Sequence, residues 1–218
     1  MPADARKTRR KARRQRARAR AEGMLQGVLA MLRPGDVVFD CGANVGDVTA
    51  QLVATGAQVH AFEPDPVAYA KLTERFGERE NLNLYNVAVA TENGIAHLRR
   101  AADFRADPEA RTTRSSILSG GKKMNDGALL QIEAISLPEV IRDVVREHGE
   151  IAFVKLDIEG AELAILEAMD SEGLFEHVRL TVAETHEGKF PALRESYKAL
   201  RARIAAAYPI TKVNLEWM

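Results

Sequence analysis

Hydrophobic residues along this chain fall into two kinds of run. Short continuous runs, the pattern of strands buried on both faces, lie at 37–39, 58–62, 151–156 and 178–183. Runs in which apolar residues recur every three or four positions predict helices, and these lie at 24–32, 48–56, 66–77, 137–145, 162–169 and 191–207. Because strands and helices alternate, the pattern predicts a parallel sheet between two layers of helices.

The remaining strand signals are weaker. A third strand is predicted at 82–87, and the turn sequence Glu92-Asn93-Gly94 predicts that 87–90 pairs with 95–99 as a hairpin or strand extension. Alternation predicts a strand at 129–135, and a last strand is expected at 210–217. Few residues follow the last helix, so the sheet either lacks a strand or is completed at its edge by a partner, as in a homodimer.

A long segment without periodicity separates two of these strands. Residues 101–127 contain charges, Gly120-Gly121 and Ser115-Ser116, and loops of this length are uncommon in compact domains unless they cover a site or are disordered. We expect Ser115-Ser116, with Arg111 and Arg114 nearby, to form a substrate lid that binds hydroxyls or an anionic group.

Composition narrows the class of protein. No apolar run approaches the roughly 20 residues that a membrane-spanning helix needs. Cys41 is the only cysteine, so an intrachain disulfide is excluded, which fits a reducing compartment. We expect a cytoplasmic protein with one domain at 23–218, preceded by a basic arm at 1–22.

The arm concentrates positive charge. The net charge of the chain is zero, yet ten of its 31 Lys and Arg residues lie at 1–22, against two of its 31 acidic residues. Alternating arginine and alanine favour a helix, but no apolar stripe is present to bury. We expect a solvated tail. Contact of residues 6–20 with nucleic acid or an anionic membrane is the alternative, although aromatic residues for base stacking are absent.

The sequence VVFDCGANVG at 37–46 is the strongest candidate site. A buried strand runs into Asp40 and then into a turn with Gly42 and Gly46, which lack a Cβ atom and so permit unusual backbone angles. Such a turn at the carboxyl end of a parallel strand is where α/β folds bind nucleotide-like ligands. Acidic residues also end two other predicted strands, Glu63 after 58–62 and Asp157 after 151–156.

The spacing of these residues favours one kind of cofactor. Glu63 lies about 20 residues beyond the turn, where a carboxylate accepts hydrogen bonds from the ribose hydroxyls of an adenosine. This spacing suits both nicotinamide dinucleotides and S-adenosyl-L-methionine. A dinucleotide fingerprint, however, needs a middle glycine where this chain has Asn44. Asp40 would also repel a phosphate but suit the ammonium of an amino-acid end, so we favour S-adenosyl-L-methionine.

Four motifs in order resemble the FkbM-like family of S-adenosylmethionine-dependent methyltransferases. They are FDCGANVG at 39–46, AFEPDP at 61–66, NVAV at 86–89 and VKLDIEGAE at 154–162. The resemblance covers about residues 34–186. It implies a class I methyltransferase fold, which is a Rossmann-like three-layer sandwich with a mostly parallel central sheet. It also implies methyl transfer to a hydroxyl, often on a sugar or a secondary metabolite.

The resemblance also assigns site residues by position. The methionine end of the cofactor would be lined by Asp40, Gly42, Asn44 and Gly46, and its ribose would be bound by Glu63. Asn86 and Ala88 would flank the adenine, and Asp157 would face the active site. Cys41 departs from the small or branched residue expected in the first motif.

Methyl transfer to an alcohol also calls for a base, because the hydroxyl must lose its proton. We predict His186 for this role, because it follows a strand that ends beside Asp157 and because a neutral imidazole suits a base near pH 7. A surface histidine on a polar loop is the alternative. Similarly, Asp157 could instead cap the following helix.

A metal-assisted site is a second alternative. Oxygen ligands with one imidazole suit Mg²⁺ or Mn²⁺, and five residues could supply them: Asp157, Glu159, Glu162, Glu184 and His186. Glu159 and Glu162 are equally typical of a helix N-terminus, and we predict no metal.

The sequence thus predicts an O-methyltransferase whose acceptor is a small polyhydroxy molecule such as a carbohydrate. Its rivals are a methyltransferase of RNA or protein guided by the basic arm, and a binding or adaptor protein that holds the cofactor without catalysis.

Overall fold

The fold is taken from a computed structural model, which describes residues 3–101, 115–121 and 124–217. Nine strands are present in these ranges: β1 (Val37–Cys41), β2 (Gln58–Phe62), β3 (Leu82–Tyr85), β4 (Ala88–Ala90), β5 (Gly94–Ala101), β6 (Met124–Ser136), β7 (Ile151–Leu156), β8 (Val178–Ala183) and β9 (Val213–Asn214). Six of them form a sheet in the order β3-β2-β1-β7-β8-β9. Every neighbouring pair in this sheet is parallel.

Helices cover both faces of the main sheet. They are α1 (Ala3–Met31), α2 (Asp47–Val53), α3 (Pro66–Phe76), α4 (Leu137–His148), α5 (Glu162–Ser171) and α6 (Arg194–Ala207). Alternate residues of a strand point to opposite faces. Accordingly, Phe39 packs with buried residues of α4, α5 and α6, whereas Val38 packs with those of α1, α2 and α3. The predicted three-layer sandwich around a mostly parallel sheet is confirmed.

The strand order locates the binding edge of the sheet. Numbered by their sequence within the main sheet, the strands run 3-2-1-4-5-6, which is the Rossmann order. The chain reverses its direction of travel between β1 and β7, and ligands of such folds bind beyond the carboxyl ends of the strands at this point. Residues after β1, β2 and β7 are therefore brought to one edge.

A second, three-stranded sheet corrects the predicted hairpin. Its order is β4-β6-β5, with β6 antiparallel to β5 and parallel to β4. The prediction that residues 87–90 pair with 95–99 was wrong, because β6 lies between these two strands. Local turn chemistry at Glu92-Asn93-Gly94 cannot reveal a strand that comes from about 40 residues further along the chain.

The two ends of the chain meet on one face. Helix α1 runs without a break from Ala3 to Met31, so the predicted boundary between residues 22 and 23 falls inside it. Arg20 Nη1 lies 2.8 Å from Glu216 Oε2. The predicted strand at 210–217 is confined to Val213–Asn214, which pairs with β8 as the sheet edge. None of the described helices is apolar over a length that would cross a bilayer.

Candidate active site

The glycine turn after β1 is shaped by close backbone approach. Gly42 has φ of 81°, and a Cβ atom there would lie 1.9 Å from the carbonyl oxygen of Asp157. The N–H groups of Gly42 and Ala43 donate to the carbonyl oxygen of Phe62 at 2.9 and 3.0 Å. The turn is thus held between the ends of β2 and β7, and only glycine fits at its first position.

Asn44 and Gly46, further along the turn, have separate roles. Asn44 is one of two non-glycine residues with positive φ in the described chain, at 50°, and it lines the cavity described below. Gly46 begins α2 with φ of 86°. A Cβ atom at Gly46 would lie 2.4 Å from the Phe76 ring, so this glycine allows α2 to pack against α3 and does not itself line the cavity.

Asp40 lies beneath the cavity rather than on its surface. Its side chain is fully buried, and Oδ2 accepts a hydrogen bond from Thr49 at 2.7 Å. Oδ1 accepts one from Lys155 Nζ at 3.0 Å. Burial opposes the charge of Lys155, but Asp40 and Asp157 outweigh this effect and raise the pKa of the lysine. Lys155 also donates to the Gly42 carbonyl at 3.2 Å, so the buried pair supports the turn from below.

Glu63 is the carboxylate best placed to bind a ribose. Its Oε2 accepts the Asn44 N–H and its Oε1 accepts the Asp65 N–H, both at 2.8 Å. The residue is 6% exposed and lines the cavity. Burial raises the pKa of Glu63 to about 7, against the lowering effect of these two hydrogen bonds. Each carboxylate oxygen retains acceptor capacity for a further donor.

The two residues predicted to flank an adenine, Asn86 and Ala88, have different positions. Asn86 Nδ2 donates to the backbone carbonyl of Glu63 at 2.8 Å, which fixes the chain leaving β2, and Asn86 does not line the cavity. Ala88 is buried and does line it. Of the two, Ala88 is therefore the one that could contact a ligand there.

A cavity of about 400 Å³ connects these groups. Gly42, Asn44, Glu63, Ala88 and Asp157 all line it. Part of its wall comes from residues that the sequence did not predict, at the two chain ends, in β5 and in β7: Ala21, Glu22, Leu25, Leu98, Lys155 and Trp217. Lys155 lies in the motif at 154–162 but was not assigned to the site. The others have no local signal in the sequence, because each reaches the cavity only through the packing of distant elements.

His186 lies among four carboxylates. Its Nδ1 is 2.9 Å from Glu162 Oε1. Its Nε2 is 3.5 Å from Glu159 Oε2 and 3.9 Å from both Asp157 Oδ1 and Glu184 Oε1. Burial favours the neutral ring, but the carboxylates outweigh it and raise the pKa of His186 to about 9. This differs from the neutral imidazole expected near pH 7, because the fold surrounds the ring with negative charge.

Glu162 organises the turn that precedes α5. This fully buried carboxylate accepts the N–H groups of Ile158 and Gly160 on Oε1 at 2.9 and 3.1 Å. Its Oε2 accepts the Tyr197 hydroxyl at 3.1 Å. Between these two N–H groups, Glu159 adopts φ of 61°, which is a strained conformation for a residue with a side chain. The turn places Glu159 on the cavity wall, where Lys189 binds its Oε2 at 2.9 Å.

The residues of the metal alternative do come together. Asp157, Glu162 and His186 offer donor atoms within 4.8 Å of one another, with Glu159 and Glu184 adjacent. However, protein donors already engage both oxygens of Glu162. Glu162 is thus engaged in holding the turn before α5, whereas Asp157 approaches Lys155 and His186 only to 3.8 and 3.9 Å.

The predicted lid serines belong to the segment 115–121, which follows β5 in the described part of the chain. Ser115 and Ser116 both line the cavity, and both are buried. The Ser116 backbone exchanges two hydrogen bonds with Arg99 of β5, at 2.7 and 2.8 Å. Arg111 and Arg114, which were predicted beside them, lie outside the described residues.

The strand order and the turns after β1, β2 and β7 define a Rossmann-like enzyme with a ligand cavity at its switch point. Comparison with known proteins then identifies the group. Residues 40–208 match the methyltransferase FkbM domain, and the chain belongs to the FkbM family of methyltransferases. The resemblance deduced from the four motifs is confirmed.

Three relatives illustrate this family. The chain is 33% identical over 176 residues to the 31-O-demethyl-FK506 methyltransferase FkbM of Streptomyces tacrolimicus, covering 72% of this chain and 67% of the relative. It is 28% identical over 182 residues to the hexuronic acid methyltransferase AglP of Haloferax volcanii, covering 82% and 66%. It is 26% identical over 174 residues to the 2-O-methyltransferase NoeI of Sinorhizobium fredii, covering 73% and 69%. The chain thus spans about two thirds of the length of these relatives.

Proposed function

We propose that this protein transfers a methyl group from S-adenosyl-L-methionine to a hydroxyl of a carbohydrate or another small polyhydroxy molecule. The observation that carries the proposal is the pairing of Glu63 with the Asn44 turn at the switch point of the sheet. The acceptor class is supported by relatives named for methylating a hexuronic acid, an FK506 precursor and a 2-O position.

The residues present fit this cofactor. Gly42 and Asn44 line the cavity beside Glu63, and the buried carboxylate of Glu63 suits two ribose hydroxyls. No cluster of backbone N–H groups for a pyrophosphate is formed by the turn, because its Gly42 and Ala43 N–H groups are bonded to Phe62. Glu63 would hold the ribose, Asn44 and Gly42 the methionine end, and Ala88 one face of the adenine. When bound, the cofactor supplies an electrophilic methyl group.

The acceptor would enter beside Asp157 and Glu159. Both residues line the cavity, whereas His186 lies behind them and does not. In-line displacement needs the acceptor oxygen aligned with the methyl carbon and sulfur, and a carboxylate can take the proton that the hydroxyl loses. We therefore propose Asp157 and Glu159 as the groups that contact the acceptor. His186 then acts as a positioning cation that fixes their orientation.

Methyl transfer with a panel of acceptors tests this function. The purified protein is incubated with methyl-labelled S-adenosyl-L-methionine and neutral sugars, uronic acids, RNA or protein. We expect label in a sugar or uronic acid, together with release of S-adenosylhomocysteine. Label in RNA or protein would support the rival arm-guided function. Tight cofactor binding without label in any acceptor would favour a non-catalytic binding protein.

Truncation of the arm separates the first two outcomes. The cut should follow Ala19, because Arg20 is paired with Glu216 and Ala21 lines the cavity. A small-molecule enzyme should keep its activity and its response to salt. An arm-dependent one should lose affinity for a polyanionic substrate as the cation count falls.

The protonation state of His186 provides a second prediction. Because the surrounding carboxylates raise its pKa to about 9, the positioning cation is present below this pH and is lost as the pH rises through it. Imidazole carbon resonances followed by NMR should titrate near pH 9, with His186→Gln used to assign the signal. His186→Gln should lower turnover at least about tenfold through misplacement of the acceptor, with less than twofold change in S-adenosylhomocysteine affinity. Titration near pH 6.5 would instead support the prediction that His186 is a neutral base.

A further inference from the structure

Asp65 makes more hydrogen bonds than its place in the chain requires. It is the N-cap of α3, and its Oδ1 accepts the Val67 N–H at 3.0 Å, which is the bond that a capping residue normally makes. Three further donors converge on the same fully buried carboxylate. Arg100 binds both oxygens, with Nη2 at 2.7 Å from Oδ1 and Nε at 2.9 Å from Oδ2. Ser115 Oγ donates to Oδ2 at 3.0 Å.

These three bonds join separate parts of the molecule. Asp65 follows β2 of the main sheet, Arg100 lies near the end of β5 in the second sheet, and Ser115 begins the segment 115–121. The Asp65 N–H in turn donates to Glu63 Oε1. The carboxylate proposed to bind the ribose and the carboxylate that holds the second sheet are therefore two residues apart and directly connected.

The elements held by Asp65 form one wall of the cavity. Leu98 of β5 and the segment Ser115, Ser116 and Ile117 line it next to Ala88. Ile117 packs on the apolar cluster of the second sheet, and its carbonyl accepts Arg99 Nη1 at 3.0 Å. Ala88, the residue proposed to contact one face of the adenine, belongs to the same apolar cluster as Leu98.

We propose that Asp65 is a positioning residue for cofactor selectivity, which fastens the second sheet and Ser115–Ile117 over the adenine through Arg100 and Ser115. The inference rests on the proposed use of S-adenosyl-L-methionine. A buried bidentate Asp–Arg pair fixes direction as well as distance, so it sets how closely this wall approaches the base. The wall then discriminates adenine from bases that carry different groups at the edge of the ring.

Asp65→Asn isolates this role from helix capping, because asparagine caps helices as well as aspartate does. The variant removes the charge that pairs with Arg100. Calorimetry should show about tenfold weaker binding of S-adenosylhomocysteine. The preference for S-adenosylhomocysteine over S-inosylhomocysteine, which differs only in the base, should narrow at least about threefold. A role in stability alone would lower the melting temperature without moving that preference.

Two further variants complete the test. Asp36→Asn is the matched control, because it breaks another Asp–Arg pair, with Arg179 at the opposite end of the sheet. Its affinities for S-adenosylhomocysteine and S-inosylhomocysteine should both stay within twofold of those of the wild type. Arg100→Gln should reproduce Asp65→Asn, and the double variant should lose no more than either single one. Arg100 also keeps the proposal falsifiable if Asp65→Asn fails to fold.

The outcomes distinguish this proposal from the proposed function. Failure of the wild-type protein to bind S-adenosylhomocysteine would remove the cofactor assignment itself. Wild-type binding combined with unchanged affinity and base preference in folded Asp65→Asn or Arg100→Gln would overturn the role of Asp65 alone.

Discussion

Glu63→Gln is expected to weaken the binding of S-adenosylhomocysteine about 100-fold, because the amide keeps only one acceptor oxygen and a hydrogen bond to a charged group is worth about 1.5–3 kcal/mol. The amide also presents its NH₂ group to one of two backbone donors, the N–H of Asn44 or of Asp65. Two N–H donors would then face each other, and one of the hydrogen bonds that hold the turn would be lost. Calorimetry measures the affinity, and Glu74→Gln on the exposed face of α3 is the control. An affinity within twofold of wild type would refute the ribose assignment.

The same carboxylate makes cofactor binding depend on pH. Burial raises the pKa of Glu63 to about 7, so the free protein loses the ionised form as the pH falls through 7. Ribose hydroxyls donate to the ionised carboxylate, and apparent affinity scales with the fraction of protein in the competent state. We expect S-adenosylhomocysteine to bind about tenfold more weakly at pH 6 than at pH 8. Glu63→Gln should abolish this dependence, since it cannot titrate.

The parts of the site that the sequence predicted lie close to strand ends. Gly42, Glu63 and Asp157 each follow a run of buried apolar residues, and the strands of a parallel sheet bring such positions to one edge. Their placement on the cavity needs little beyond the strand order. The strained backbone at Glu159 had no such signal, because it depends on the N–H groups that Glu162 binds.

The parts that the sequence could not predict depend on distant packing. The charge of His186 is favoured by Glu162, Glu159 and Asp157, which the fold brings to it from the end of β7 and the start of α5. The order of the second sheet depends on β6, which enters between β4 and β5. Likewise, α1 and Trp217 reach the cavity only because the two ends of the chain pack on the same face. Periodicity reports which face of an element is buried, but not which partner buries it.

Lys155→Met is expected to lower the free energy of unfolding by about 3–5 kcal/mol, the usual cost of removing one partner from a buried ion pair. Lys155 and Asp40 are almost completely buried, with side chains 4% and 0% exposed. Their partnership spans 115 positions of the chain, so no local pattern reveals it. Without the lysine, Asp40 Oδ1 loses its charged donor and the Gly42 carbonyl loses the bond that supports the turn. Chemical denaturation monitored by circular dichroism measures the loss.

Two comparisons show whether the loss comes from the unpaired charge. Lys198→Met removes a lysine whose side chain is 80% exposed and 3.7 Å from Glu195, and exposed pairs of this kind contribute about 0–1 kcal/mol. Asp40→Asn combined with Lys155→Met removes the charge that the single variant leaves buried, so it should be more stable than Lys155→Met alone. If the double variant is instead less stable than Lys155→Met, the energetic role of the pair lies in the packing of Lys155 and in its bond to Gly42. The cofactor turn would then be held by that bond rather than by the neutralisation of Asp40.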